Sequence, residues 1–395
     1  MNAVDAPSNG RSPVRIGTLE SSALCIGYAL GSFGAGAIPL WVAALLKAGS
    51  LSASEVGWLA SGELFLLAIS VLAISAWARA VPPRRVAALA ASAVVTANLI
   101  AMIPTAPALV TGRLLSGLAM GALLASVTGV AARRQDAQRL LALMQAAMVA
   151  LTSVAYFMSP ILIGRFGPDR IFAILAGVGV VMVIAALMGL PTVAATSAAA
   201  DRSIAANKLA PVIGCIALAF MSIGQNTIAT YIFTIGNGLG IDAQTLGTVL
   251  AVAVPLALFG PLAAHLLGER MGLLRPLLLG QLLLAIDILF LVKSALPIPY
   301  CLFTAALGLL VAFCVPYAIA LLGRLEASGR FASAAQAFIM IGSAAGPALG
   351  SKLIGTTGYQ TLAFVAASSI AVSIALFTVA AAVGEIKVPA VTSRS

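Results

Sequence analysis

The charged residues of this 395-residue chain are gathered into short clusters, and apolar stretches of about twenty residues run between them. As a helix rising 1.5 Å per residue, such a stretch matches the hydrocarbon thickness of a bilayer. Inside hydrocarbon only a helix or a closed barrel pairs all of its own backbone polar groups. Breaks at the charged clusters and at Pro/Gly turns leave twelve predicted spans: 21–46, 56–78, 86–104, 108–132, 140–164, 171–191, 210–235, 244–268, 276–295, 298–322, 332–355 and 361–384. Composition agrees, with 61% hydrophobic and 9% charged residues, against roughly 25% charged in a soluble domain. The fold class predicted is therefore all-α and polytopic, with twelve transmembrane helices. Residues 1–20, polar and carrying Arg11 and Arg15, are expected to be a disordered cytoplasmic tail, and 385–395 a second tail. The run beginning at Ser21 is too long for a signal-peptide core and reads as a retained span.

Twelve spans place both termini on one side. If that side is the cytoplasm, its segments hold Arg11, Arg15, Arg79, Arg84, Arg85, Arg133, Arg134, Arg139, Arg202, Lys208, Arg270, Arg275, Arg324, Arg330, Lys387 and Arg394. The opposite side holds Lys47, Arg165, Arg170, Lys293 and Lys352. Sixteen against five is a positive-inside bias. The net charge of +10 thus records topology rather than a nucleic-acid partner. Cys25, Cys215, Cys301 and Cys314 all lie in apolar runs with no CxxC pair, so neither a disulfide framework nor a metal site is suggested. No cofactor is expected.

Displaced by 190 residues, the sequence meets itself. Cys25 falls on Cys215, Ser32 on Ser222, Gly34 on Gly224, Gly57 on Gly247 and Arg85 on Arg275; one residue further, LIGRFG (162–167) falls on LIGTTG (353–358). This predicts two pseudo-symmetric six-helix halves in parallel repeat, 21–191 and 210–384, joined by a small, polar cytoplasmic linker at 192–209. Two such halves can rock about a site at mid-membrane and open it to each side in turn.

Three motifs resemble those of the major facilitator superfamily, and the likeness covers nearly the whole chain. TGRLLSGLAMGALLA (111–125) resembles the family's fourth-helix motif through Arg113, Ser116, Gly117 and Gly121. GPLAAHLLGERMGLLRP (260–276) resembles the loop motif between spans eight and nine, with Glu269, Arg270, Gly272 and Arg275 in place. GSAAGPALG (342–350) resembles the Gly-Pro motif best known from antiporters, although it lies in span eleven where antiporters carry it in span five. The first cytoplasmic loop, WARAVPPRRV (77–86), keeps Arg84 and Arg85 but has Arg79 where the repeat has Glu269, and Pro82 where it has Gly272. The family's usual acid at the end of span two is thus missing. The resemblance implies that Glu269, Arg270 and Arg275 take over its part as conformational latch. It also implies a drug/proton-antiporter-like efflux permease, and a cavity lined by spans one, four, seven and ten. In those spans Tyr28, Ser32, Gln225, Asn226, Thr230, Tyr231, Phe313 and Tyr317 are the substrate-binding candidates, with Gln145 and Tyr156 added from span five.

An arginine deep in hydrocarbon is costly and needs a partner inside the bundle. Within spans the acids are Glu63 and Asp287. Glu63 lies about 10 Å into span two and Arg113 about 8 Å into span four, both counted from the same side, so the two are expected to pair. The pair reads either as architecture or as a proton-exchanging carboxylate tuned by its arginine. Gly117 and Gly121, spaced small-xxx-small, are expected to admit a neighbouring helix. Asp287, near midplane in a peripheral span, reads as a protonated, hydrogen-bonded structural carboxyl. His265, the single histidine, reads as a loop anchor, and Glu20 as a solvated residue just ahead of span one.

The expected function is secondary active transport of a small organic solute by alternating access, with proton-coupled efflux foremost. Proton-coupled uptake of an aromatic or carboxylate compound and a non-transporting sensor are the alternatives. No HExxH or GxSxG occurs, and an enzyme is not expected. The expected partners are the solute, protons and the lipid bilayer, without nucleic acid, in a monomer of the bacterial inner membrane.

Overall fold

The computed structural model describes residues 18–49, 51–77, 81–131, 137–167, 170–190, 209–268, 271–325, 330–354 and 358–384. The expected linker, apart from Leu209, and both expected tails, apart from the start of the first helix, lie outside them. So do Arg79, Glu269 and Arg270.

Among the described residues the chain is helical throughout: α1 Thr18–Ala48, α2 Ala53–Trp77, α3 Pro83–Ala101, α4 Ala106–Ala131, α5 Ala137–Phe166, α6 Arg170–Gly189, α7 Leu209–Ala229, α8 Ile232–Gly238, α9 Ala243–Leu256, α10 Phe259–Leu267, α11 Leu274–Leu291, α12 Pro297–Leu325, α13 Arg330–Ile354 and α14 Gly358–Val383. Twelve segments are long and apolar enough to cross a membrane. Two predicted spans are broken. Span seven is α7 followed by α8, with the break at Thr230–Tyr231, and span eight is α9 followed by α10. The second break follows Pro255, which cannot donate a helical hydrogen bond. Several helices outrun their predicted spans because hydropathy ends where charge begins while the helix continues; α1 carries Lys47 in its last turn and α12 carries Arg324. Glu20, expected ahead of the first span, lies in the first turn of α1 and is half-buried.

The helices pack in two groups. In the first, α4 lies against α1, α2 and α3, α6 against α1 and α3, and α5 against α1. In the second, α7 lies against α13 and α14, α11 against α12 and α14, and α12 against α9 and α10. Two seams join the groups, α2 on α13 and α5 on α9, with α8 also touching α1. Large apolar residues such as Leu89, Val181, Leu266 and Ile298 point outward. In lipid that costs nothing, because the tails are as apolar as the side chains.

Candidate functional site

Arg113 and Glu63 meet in the middle of the first group. The Arg113 Nη2 donates to Glu63 Oε1, and Nε donates to Oε2 at 3.1 Å, a two-point fork on one carboxylate. The remaining nitrogen, Nη1, donates to Asn98 Oδ1 on α3 at 3.0 Å. Asn98 is itself held by its Nδ2 on the Val94 carbonyl at 2.8 Å. The guanidinium carbon lies 5.4 Å from the ring centroid of Trp41 on α1 and 5.3 Å from that of Phe172 on α6, within cation–π range. Both charged side chains are 0% exposed. Five helices thus converge on one guanidinium. A buried pair offsets its desolvation only when further hydrogen bonds complete it, and here Asn98 completes it.

The glycines after Arg113 shape the same contact. A Cβ on Gly117 would strike the carbonyl oxygen of Glu63, and one on Gly121 would strike that of Leu67. The neighbouring helix they admit is therefore α2, the helix that carries Glu63. Gly112 does the same toward Ala97 and Ala101 of α3. Ser70 fastens the far end of this contact, donating from Oγ to the Leu118 carbonyl at 2.7 Å.

The opposite face of α2 forms a seam with the second group. Ser61 Oγ accepts from the Ala348 amide of α13 at 2.8 Å. Lys352 Nζ stands 5.7 Å from the Trp58 ring centroid. A Cβ on Gly57 would meet Ser351 and the Tyr231 hydroxyl. In the other seam, Tyr156 of α5 meets Phe233 of α8 edge to face at 5.7 Å, and a Cβ on Gly247 would meet the Tyr156 carbonyl and Pro160. Gly57 and Gly247 form one of the two glycine pairs that the 190-residue displacement superposes, and each closes one seam. Every one of these contacts lies at the ends of the helices remote from the chain termini, called here the distal end. One apolar cluster runs continuously through both groups there, whereas the second group's proximal residues, among them Leu218, Leu277, Leu322 and Phe377, form a separate cluster.

The GSAAGPALG stretch lies on α13 and faces α7. Cβ atoms on Gly342, Gly346 and Gly350 would meet Ala219, Asn226–Thr227 and Tyr231 respectively. Tyr231 Oη donates to the Pro347 carbonyl at 2.7 Å and stands against Gly57 of α2, so this fully buried residue lies at the seam rather than on an open lining. Thr230 is also buried. Tyr317 Oη donates to the Ala264 and Gly268 carbonyls at 3.1 and 2.9 Å, tying α12 to the end of α10. Its ring lies 5.2 Å from that of Phe313, which is half-buried and packs on Gly280. Tyr28, Ser32, Gln225 and Asn226 are half-buried. Tyr28 Oη donates to Gln145 Oε1 at 2.8 Å. Asn226 Nδ2 donates to the Ser222 carbonyl at 3.0 Å and to Ser343 Oγ at 2.9 Å.

Of the expected latch, Arg275 is half-buried near the start of α11. Gly272, with φ 74°, makes a turn closed to other residues, whereas Pro82 has φ −57° as it enters α3. The two repeat-related loops are thus built differently. Asp287 is buried on α11 with its Oδ2 unpartnered, in place of the hydrogen bond expected for it. His265 is exposed. The four cysteines are free, and no cluster of metal-ligating residues occurs among the described residues. Trp41, Phe172 and Asn98 are not among the site residues expected from the sequence. The available signal was a lone amide in an apolar span.

No protein-family model and no curated sequence matches the chain. Its fold is nevertheless shared with solved transporters. The nucleoside transporter NupG superposes with a TM-score of 0.74 at 13% identity, over 92% of this chain and 100% of that one. The peptide transporter POT in complex with alafosfalin gives 0.71 at 14%, over 94% and 97%. A D-xylose–proton symporter gives 0.70 at 15%, over 94% and 98%. All three are transporters, and the all-helical fold of this chain, with twelve candidate spans among its described residues, superposes on theirs.

Proposed function

We propose that the chain is a secondary active transporter that moves a small organic solute across the cytoplasmic membrane by alternating access, coupled to protons and working as an efflux permease. The observation that carries this reading is the closure of the distal end, with a separate apolar cluster at the proximal end of the second group, among the described residues. Residues 18–190 and 209–384 act as the two moving halves, with seams α2–α13 and α5–α9 shut at the distal end. The sixteen-to-five split of basic residues assigns that end to the outside, so this is an inward-facing state. The seam contacts are small residues, one side chain–backbone hydrogen bond and ring contacts, all of which can part without stranding a charge.

Helix α2 links the proton to the gate. Gly57, Trp58 and Ser61 hold α13 on one face, while Glu63 and Leu67 hold α4 on the other. Protonation of Glu63 weakens its hold on Arg113 and frees α2 to shift against α4. The outer seam, two residues away, feels that shift. Tyr28, Ser32, Gln225, Asn226 and Phe313 supply the solute contacts, and their mixed aromatic and amide character suits a small amphipathic or aromatic cargo. Glu269, Arg270 and Arg275 form the inner latch.

The test uses a cysteine-free protein in vesicles, a panel of aromatic and amphipathic solutes, and an imposed proton gradient. Solute-dependent proton flux is expected. Linking the outer seam through Ser61→Cys and Ala348→Cys should stop that flux, and reductant should restore it. Flux unchanged by the disulfide overturns the alternating-access reading. Proton-coupled uptake is the second reading, supported by the similarity to the D-xylose–proton symporter. Solute accumulation with the inward proton gradient, rather than against it, selects uptake.

A further inference from the structure

Above the closed distal seam lies a cavity of about 290 Å³, near the lower end of the range for small-molecule pockets. Leu40, Ser159, Pro160 and Phe233 line its deeper part, and Lys47, Gly164, Asn237 and Ala243 line its mouth. From Leu40 to Lys47 along α1 is about 10 Å at 1.5 Å per residue. The deeper part offers no free polar group. Ser159 Oγ is committed to the Ala155 carbonyl, and Phe233 is the ring that closes edge to face on Tyr156. The mouth differs. Lys47 and Asn237 are exposed, and Lys47 forms no ion pair with a described residue. Arg165, next to Gly164 in the chain, is exposed as well but does not line the cavity. The acid close by, Asp242, is engaged as the N-cap of α9, its Oδ1 accepting from the amide of Thr245 at 2.9 Å.

An apolar shaft with a lysine ammonium and an amide at its mouth is complementary to an amphiphile with an anionic head. Its walls come from both groups, α1 and α5 on one side and α8 and α9 on the other. The shaft therefore has this shape only while the distal end is closed. A ligand that binds only one of two conformations shifts the equilibrium toward it.

We propose that this distal cavity binds a small organic carboxylate with an apolar body from outside, its head on Lys47 and Asn237, and that the bound carboxylate clamps the distal seam shut. The occupant is a water-soluble carboxylate rather than a phospholipid, because the shaft is too small for two acyl chains. The binding site stands independently of the transport reading.

Octanoate is the probe, with octanol and octylamine as controls, on the purified full-length protein in detergent. Octanoate should raise the melting temperature saturably, and octanol and octylamine should not. Lys47→Gln should weaken octanoate binding about tenfold, the loss of one charge-assisted contact, while Lys47→Arg retains it. In the Ser61→Cys/Ala348→Cys protein, octanoate should speed disulfide formation, a readout that needs no transport. Equal stabilisation by octanol, an unchanged octanoate response in Lys47→Gln, or unaltered cross-linking overturns the proposal. So does stabilisation by phosphatidylglycerol nanodiscs over phosphatidylcholine ones in the absence of any octanoate effect, which assigns the site to a lipid.

Discussion

Arg113→Ala tests the buried pair most directly. The substitution removes both donors to the Glu63 carboxylate, the donor to Asn98 Oδ1, and the cation between Trp41 and Phe172. Glu63 remains wholly enclosed with no counter-ion. Removing one partner of a buried pair costs about 3–5 kcal/mol, and the lost cation–π contacts add on the order of 2 kcal/mol. Glu63→Gln alone strands the arginine at a similar cost. If the two residues acted independently, the double variant would lose the sum, roughly 8–12 kcal/mol. In the double variant Glu63→Gln/Arg113→Ala, however, no charge is left at this site, and what remains is unfilled space and the amides of the introduced glutamine and of Asn98. It should therefore be about 3 kcal/mol more stable than Arg113→Ala alone. Melting in detergent reads this as several degrees between single and double variants. A double variant whose loss relative to the parent equals the sum of the two single losses refutes the pairing argument. Proton-driven flux in vesicles then separates the roles. A stable double variant without flux supports coupling through Glu63, and one with normal pH-dependent flux removes Glu63 from coupling and leaves the pair as architecture.

Gly117→Ala should destabilise by about 1–3 kcal/mol, because its Cβ meets the backbone oxygen of Glu63 and the two helices must separate; Gly177→Ala, with open space around it on α6, should leave the melting temperature unchanged or raised. Gly57→Val should wedge the outer seam, so that Ala348→Cys reacts faster with an impermeant maleimide; unchanged labelling speaks against one-ended gating at this seam. Asp242 caps α9, and its hydrogen bonds from Thr245 hold its carboxyl below the usual carboxylate range. A depressed folded value means that its contribution is present above the unfolded pKa and is lost as pH falls through the folded one. Stability in Asp242→Ala should thus fall less on acidification than in the parent, and equal acid sensitivity would remove the cap from the account. Tyr317→Phe frees two carbonyls at the end of α10 and should raise hydrogen exchange there while leaving the distal seam's cross-linking unchanged.

The apolar runs by themselves determined the number of spans, because a bilayer leaves the chain almost no other way to bury its backbone polar groups. They also gave depth. Residue counts from the span ends placed Glu63 and Arg113 at one level, and few other charges lay within spans to compete for the arginine. The 190-residue displacement picked out Gly57 and Gly247 as equivalent without saying what either touches. Azimuth was not legible. In water a helix reveals its inner face by where its apolar residues lie, but lipid and core are equally apolar, so Trp41 and Phe172 carried no mark that they flank a guanidinium. For the same reason Tyr231 read as a lining residue when its hydroxyl is bound to Pro347 in a seam. Which glycines face a neighbouring backbone, which end of the bundle is closed, and where Asn98 completes the ion pair were decided only when the helices rotated and packed against one another, because those contacts join residues that no local pattern in the chain relates.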